Sequence, residues 1–395
     1  MKGFSLNMNP KHKTAEKYQG LEQGPIRPPS EANSLLVRVT RNCPWNHCTF
    51  CPVYKDSSFS IRPKDHVMQD IDSIYRSVEI IQKTAHEEGK VPLAEIRKTA
   101  AHNNNLDPRA FNAALNWVAG GMRSVFIQDA NSLVIDPKDF IEILTHLKTR
   151  FPWIERITSY ARSHTIARIS DDNLKAIKNA GLNRIHIGLE SGSDKVLKMT
   201  KKGVTKETHI KAGLRVKKAG MELSEYVMPG LGGKAYSNEH ALETADALNQ
   251  INPDFIRLRT LAIPNSVALY DDYKTGRFEK CTDLKMAKEV LLFIESLNGI
   301  TSVVKSDHIL NLFQNLEGKL PEDKENMLDI IRRFLAMTPD QQCVYQVGRR
   351  LGFFSRLGDI KNPRRLERAE RACRDFGITP ENVDEVIDEL MKRFI

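Results

Sequence analysis

The stretch LLVRVTRNCPWNHCTFC, residues 35–51, joins an apolar, β-branched run to a loop that carries three of the chain's six cysteines. Leu35 to Thr40 has the length and side chains of a short strand. Cys43, Cys48 and Cys51 follow at C-x4-C-x2-C, so their thiols collect just past the strand's carboxyl end. Parallel α/β sheets and barrels place their active sites at that end. The fold then depends on whether the chain repeats the strand.

It does. SVFIQ (124–128), RITS (156–159), RIHIGL (184–189), LSEYVM (223–228) and FIRLRT (255–260) are further strand candidates, and a seventh stands at ITSVVKS (300–306). Helix patterns lie between them. One is DPKDFIEILTHLKTR, with Asp136 as N-cap and Pro137 at the first helical position; another is SDDNLKAIKNAGL, closed by Gly181. The alternation predicts a parallel sheet of βαβ units. Six units make an open sheet or a partial barrel. Residues 1–30 are expected to form an arm, mobile or clamped on the surface, and residues 31–317 the α/β core. Residues 318–395 form a helical C-terminal extension. The long stretch between Cys51 and the second strand holds its own helix signal, LDPRAFNAALNWVAGG, and is expected at the mouth of the sheet, shaping a pocket.

A hydrophobic share of 41% with 28% charged residues is ordinary for a globular chain and argues against disorder. No run approaches the roughly eighteen apolar residues of a membrane span, and the polar N-terminus does not resemble a secretory signal. A cytoplasmic protein with no membrane partner is expected. The net charge of +9 favours an acidic partner without naming it. Cys281, Cys343 and Cys373 are widely separated, which is no disulfide framework, and are read as buried apolar residues.

Two metal chemistries suit the cysteine triplet. His47 offers a fourth ligand for structural zinc, although its adjacency to Cys48 makes joint tetrahedral ligation awkward. Alternatively, three thiolates hold an iron–sulfur cluster and leave one iron open to a small molecule.

CPWNHCTFC, with Phe50 before its last cysteine, resembles the cluster loop of the radical S-adenosylmethionine (radical SAM) superfamily, whose commonest spacing is one residue shorter, C-x3-C-x2-C. The resemblance continues in order after successive strands, over roughly residues 31–310. IQDANSL (127–133) stands where the family has the motif that meets the SAM amino group, without the usual double glycine. SYAR (159–162) and IGLESGSDKVLKMTKKGVT (187–205) are similar to branches that include methylthiotransferases and oxygen-independent coproporphyrinogen oxidases. MPGLGG (228–233) occupies the region bordering the adenine. The resemblance implies a partial (β/α)6 TIM-like barrel, with a [4Fe–4S] cluster on Cys43, Cys48 and Cys51 whose fourth iron is chelated by SAM. It implies SAM contacts from Phe50, Asp129, Ala130, Asn131, Met228 and Gly230. Glu190 would meet the ribose hydroxyls, Lys202 or Lys201 the carboxylate, and Ser159 or Arg162 the flank. A carboxylate accepting hydroxyl bonds and an ammonium facing a carboxylate are sound pairings in themselves.

The implied reaction is reductive cleavage of SAM to a 5′-deoxyadenosyl radical, which abstracts hydrogen from a small-molecule or peptide substrate, an acidic one by the chain's charge. A reductant such as flavodoxin or ferredoxin is required. With no second cysteine group, sulfur insertion is not expected, and with 30 residues ahead of the core neither is a cobalamin-binding domain there. KSDHILN (305–311) places Ser306, Asp307, His308 and Asn311 at the sheet mouth, with His308 a weak candidate for the chemistry. Trp45 and Tyr54 are read as a shield around the cluster. The basic run KNPRRLERAERACR puts Arg364, Arg368 and Arg371 at helical spacing, a pattern more often a solvated face than a nucleic-acid site. The competing reading is a zinc-bearing protein that binds nucleic acid through that helix.

Overall fold

The computed structural model describes residues 16–87 and 106–391. Its main sheet runs in sequence order: β1 (Leu35–Arg38), β2 (Ser124–Gln128), β3 (Arg156–Ala161), β4 (Arg184–Glu190), β5 (Glu222–Val227), β6 (Phe255–Leu258) and β7 (Val303–Lys305), all parallel. A short β8 (Gly318–Lys319) pairs antiparallel with β7. The first and last strands do not pair, so the sheet is a partial barrel. The fold is α/β with a helical C-terminus.

Alternation along each strand separates two environments. Val125, Ile127, Ile157, Ile185, Ile187, Leu223 and Ile256 are wholly buried in one apolar core with the covering helices. On the other face Phe126, Tyr160, His186 and Tyr226 meet ring to ring, with centroids 5.0–6.5 Å apart. The outer layer is the hydrophobic seal, and the inner face leads up to the site.

Helices begin where the sequence marks them. In α1 (Lys64–Glu87), Val67, Ile71, Ile74, Val78 and Ile81 recur at steps of four and three and form a fully buried stripe. Asp107 caps α2 (Pro108–Ala119) by accepting from the Arg109 N–H, and Asp136 caps α3 (Pro137–Arg150) through Lys138. Such caps stabilise by about 1 kcal/mol each. Next come α4 (Asp171–Asn179), α5 (Lys206–Lys218), α6 (Gly233–Ile251) and α7 (Asp283–Glu295). The C-terminal helices are α8 (Lys324–Leu335), α9 (Pro339–Arg350), α10 (Pro363–Asp375) and α11 (Val383–Met391). Among the described residues no helix is long and apolar enough to cross a membrane.

Three expectations change. β1 ends at Arg38, and Thr40–Arg41 leaves the main sheet to pair antiparallel with Ser60–Ile61, which turns the cysteine loop across the barrel end. α1 and α2 bury their apolar faces in the core beside β1, and no described residue of 64–119 lines the cavity at the sheet mouth. Residues 88–105 of that stretch lie outside the described residues. The chain beyond 317 is not helical from its start, because Gly318 and Lys319 extend the sheet.

The described part of the arm is clamped. Leu21 is buried, Glu22 pairs with Arg38 (2.8 Å), Arg41 (2.8 Å) and Arg62 (3.3 Å), and the Gln128 side chain bonds the backbone at Gly24 and Ile26. At the other end Arg350 of α9 donates twice to Asp283 of α7, at 2.8 and 2.9 Å, both side chains fully buried.

Candidate functional site

The carboxyl ends of β1 to β6 surround one cavity, lined by Cys43, Cys48, Phe50, Cys51, Ala130, Arg162, Glu190, Lys202 and Met228 together with Tyr54, Tyr160, Tyr226 and Arg259. Residues from six strand ends thus meet around one cavity.

The cysteine loop is held by local chemistry. Asn42 and Asn46 adopt φ of +65° and +45°, a left-handed conformation that asparagine tolerates. Lys55 donates to the carbonyls of Asn46 and Cys48, both at 3.0 Å. The Trp45 indole donates to the Lys201 carbonyl at 2.8 Å, and the Arg162 guanidinium lies 5.0 Å from its ring centre. Trp45 therefore ties the loop to the chain after β4. Burial pushes the Cys48 and Cys51 thiols up, while Lys202 and Arg162 act against that shift at Cys48 and Lys202 does so at Cys51. His47 stacks edge-on against Trp45 at 5.0 Å and does not line the cavity. Among the described residues no three His, Cys, Asp or Glu side chains converge closely enough to hold a metal ion. The three thiols line one cavity and bear on one another, as the ligands of a single cluster with an open iron would.

Glu190 ends β4 at φ +64°, where the pairing register with β5 shifts, and its Oε1 lies 3.3 Å from the Lys202 ammonium. Gly188 makes room for the pair, since a Cβ there would stand 2.3 Å from Glu190 Oε1 and 3.0 Å from Lys202 Nζ. Lys201 is exposed, at φ +52°; its carbonyl accepts from Trp45 and its N–H donates to the Lys198 carbonyl at 3.1 Å, and it does not line the cavity.

Other candidates sit behind the wall. Asp129 is fully buried and accepts from Arg38 Nε (2.8 Å), Tyr54 Oη (3.0 Å) and the Asn42 N–H (3.2 Å). Asn131 accepts from the Arg162 N–H at 3.0 Å and donates to Thr165 at 2.8 Å. Of that segment only Ala130 reaches the cavity. Ser159 is buried on the opposite face of β3, its hydroxyl on the Ile127 and Tyr160 carbonyls. Gly230, at φ +85°, donates its N–H to Glu289 at 2.7 Å and is not on the wall, whereas Met228 is. His308 is largely buried, held down to about 4 by burial and by Arg259, and its Nδ1 accepts from the Leu310 N–H. It is neutral at physiological pH and lies off the cavity wall.

Sequence reasoning missed Tyr160, Tyr226 and Arg259. Each sits on the inner face of a strand or just past its end, and the usable signal was an aromatic or cation at an alternate position of a strand candidate.

A sequence model described as the radical SAM superfamily matches residues 37–248. The chain belongs to the radical SAM superfamily. Members use a [4Fe–4S] cluster and SAM, and the donor set here, three soft thiols with an ammonium and a carboxylate beside them, fits both groups. Two curated proteins, the tRNA uridine(34) acetyltransferases of Methanocaldococcus infernus and Methanocaldococcus jannaschii, are each 21% identical over 70% of this chain. The chain spans about half the length of those relatives, 52% and 51%. Among solved structures, archaeal Methanocaldococcus infernus Elp3 aligns with TM-score 0.42 and 16% identity over 60% of this chain and 62% of its own. Escherichia coli coproporphyrinogen III oxidase aligns with TM-score 0.43 and 16% identity, over 67% and 52%.

Proposed function

We propose that this radical SAM enzyme cleaves SAM reductively to abstract hydrogen from a substrate held at the carboxyl end of the partial barrel. The observation that carries this reading is the convergence of Cys43, Cys48, Cys51, Arg162, Glu190 and Lys202 on one cavity. When bound, the cluster and SAM supply a 5′-deoxyadenosyl radical, with the electron coming from a reductant such as flavodoxin or ferredoxin. The chain's own residues hold and orient. Cys43, Cys48 and Cys51 are the cluster ligands. Glu190 accepts the ribose hydroxyl bonds and Lys202 pairs with the SAM carboxylate, each released from the other as SAM enters. Phe50 and Met228 border the cosubstrate and keep water from it. Asn131 positions Arg162, and Asp129 locks Tyr54 and the cysteine loop. The core begins at residue 31 and runs through Gly318 and Lys319, which extend its sheet, and the setting is cytoplasmic.

The test is anaerobic reconstitution with iron and sulfide, followed by reduction with SAM. About four irons per chain and formation of 5′-deoxyadenosine are expected, and both should vanish when the three cysteines become alanine together. Retention of about four irons in that variant would overturn the ligand assignment, and a reducible cluster that yields no 5′-deoxyadenosine would overturn the reaction.

A second reading takes tRNA as the substrate. Its support is that the two relatives are tRNA acetyltransferases, together with the exposed Arg364, Arg368, Arg371 and Arg374 on α10, against the first expectation that nucleic acid is not a partner. Unfractionated tRNA should then bind with steep salt dependence, and alanine at Arg364, Arg368 and Arg374 should weaken binding and flatten that slope. Binding unaffected by the substitutions removes this reading.

A further inference from the structure

The cavity has two poles. At one, Arg162 and Lys202 bear on the thiols, and Lys202 also faces Glu190. The neighbouring acids are matched too: Asp129 pairs with Arg38 at 2.5 Å and Asp307 with Arg257 at 2.7 Å. Arg259 stands at the other pole, just past β6. Two residues apart on a strand, Arg257 and Arg259 project to the same side, yet only Arg257 has a carboxylate. Among the described residues the Arg259 guanidinium has neither a hydrogen bond nor an ion pair. It lines the cavity beside Tyr160 and Tyr226, and its charge is felt by both phenols and by His308. Leu261 and Leu310 make the adjoining wall apolar.

A guanidinium presents parallel N–H donors that match the two oxygens of a carboxylate. One unpaired cation balances one negative charge; a phosphate ester would call for a second, and Arg162 and Lys202 face the thiols. We propose that Arg259 anchors the carboxylate of the substrate, which is a small carboxylic acid with an apolar body, bound with that body toward the thiol pole. This deepens the radical SAM reading and rests on it for the assignment of the opposite pole.

The test uses the full chain with its cluster reconstituted and follows the fluorine NMR signals of para-fluorobenzoate, para-fluorobenzamide and para-fluorophenyl phosphate. The acid should bind roughly tenfold or more tightly than the amide, the usual effect of one charge-assisted contact. Arg259→Gln should erase that preference and Arg259→Lys should keep part of it. If Arg259→Gln does not fold, the wild-type preference and Arg259→Lys decide the matter. Equal binding of acid and amide, no binding of either, preference for the phosphate, or a preference that survives Arg259→Gln would each overturn the proposal. SAM titrated onto Arg259→Gln should bind as it does to wild type. A tenfold loss would make Arg259 a SAM contact and overturn the substrate assignment while leaving the SAM reading intact. Wild type that failed to bind SAM at all would instead strike the SAM reading, a result separate from any probe preference.

Discussion

Gly188 leaves the space in which Glu190 and Lys202 meet. A methyl group there would press on Glu190 Oε1 and Lys202 Nζ, the mobile ends of two side chains, so both can yield without moving the backbone. Gly188→Ala should therefore change stability by less than about 1 kcal/mol while lowering SAM affinity roughly tenfold, the usual effect of losing a charged contact. Thermal melting and SAM titration on the reconstituted protein separate the two effects, and unchanged affinity would place the pair away from SAM. Glu190→Gln should lower SAM affinity by roughly ten- to a hundredfold with iron content unchanged, since a bond to a charged group is worth about 1.5 to 3 kcal/mol. The three cysteines were legible from their spacing just past the first strand candidate, and Arg162, Glu190 and one of Lys201 and Lys202 through the resemblance of SYAR and IGLESGSDKVLKMTKKGVT to the radical SAM superfamily. Asp129 and Asn131 were equally visible, but their partners, Arg38, Tyr54 and Thr165, come from other segments, and spacing along the chain does not reveal which polar groups the fold has already satisfied. Arg259 escaped for the converse reason: its lack of a partner is a property of the assembled barrel.

Seven strands were legible at the element scale because β-branched runs bounded by helix caps leave little choice of period. Placement of the long insertion was not, since an amphipathic helix shows that it has a buried face and not which neighbour covers it. In α1 the stripe from Val67 to Ile81 is buried in the core beside β1. The two-residue β8 carries too few side chains to register as a strand pattern. What fastens the C-terminal helices was also invisible: Arg350 and Asp283, 67 residues apart, meet in a buried two-bond pair between α9 and α7. Asp283→Ala leaves that guanidinium buried with only the Leu310 carbonyl, at 2.6 Å, to accept from it. The expected cost is about 3 to 5 kcal/mol, read as a lower urea midpoint at unchanged m-value. A loss below about 1 kcal/mol would mean that the ion pair does not fasten α9 to the core.

Two buried titratable groups near the site give the whole molecule an acid and a neutral limb of opposite sign. His209 is fully buried, its Nδ1 bonded to Ser163, and burial with Lys202 and Arg162 nearby lowers it to about 3. Glu225 on β5 is fully buried with neither oxygen bonded, and burial raises it well above the usual carboxylate range. For His209 the unfolded chain binds the proton first, so the stability tied to its neutral ring is complete above about pH 6.5 and declines as pH falls toward 3. At pH 5 the loss is about 2 kcal/mol. For Glu225 the unfolded chain gives up its proton first, so stability declines as pH rises above the ordinary glutamate value. His209→Gln should flatten the acid limb between pH 6.5 and 4, and Glu225→Gln the limb above pH 5, each leaving the other in place. Urea midpoints measured across that range for the two variants and wild type check both signs. An acid limb equally steep in His209→Gln would show that carboxylates, and not this ring, set the acid sensitivity of the fold.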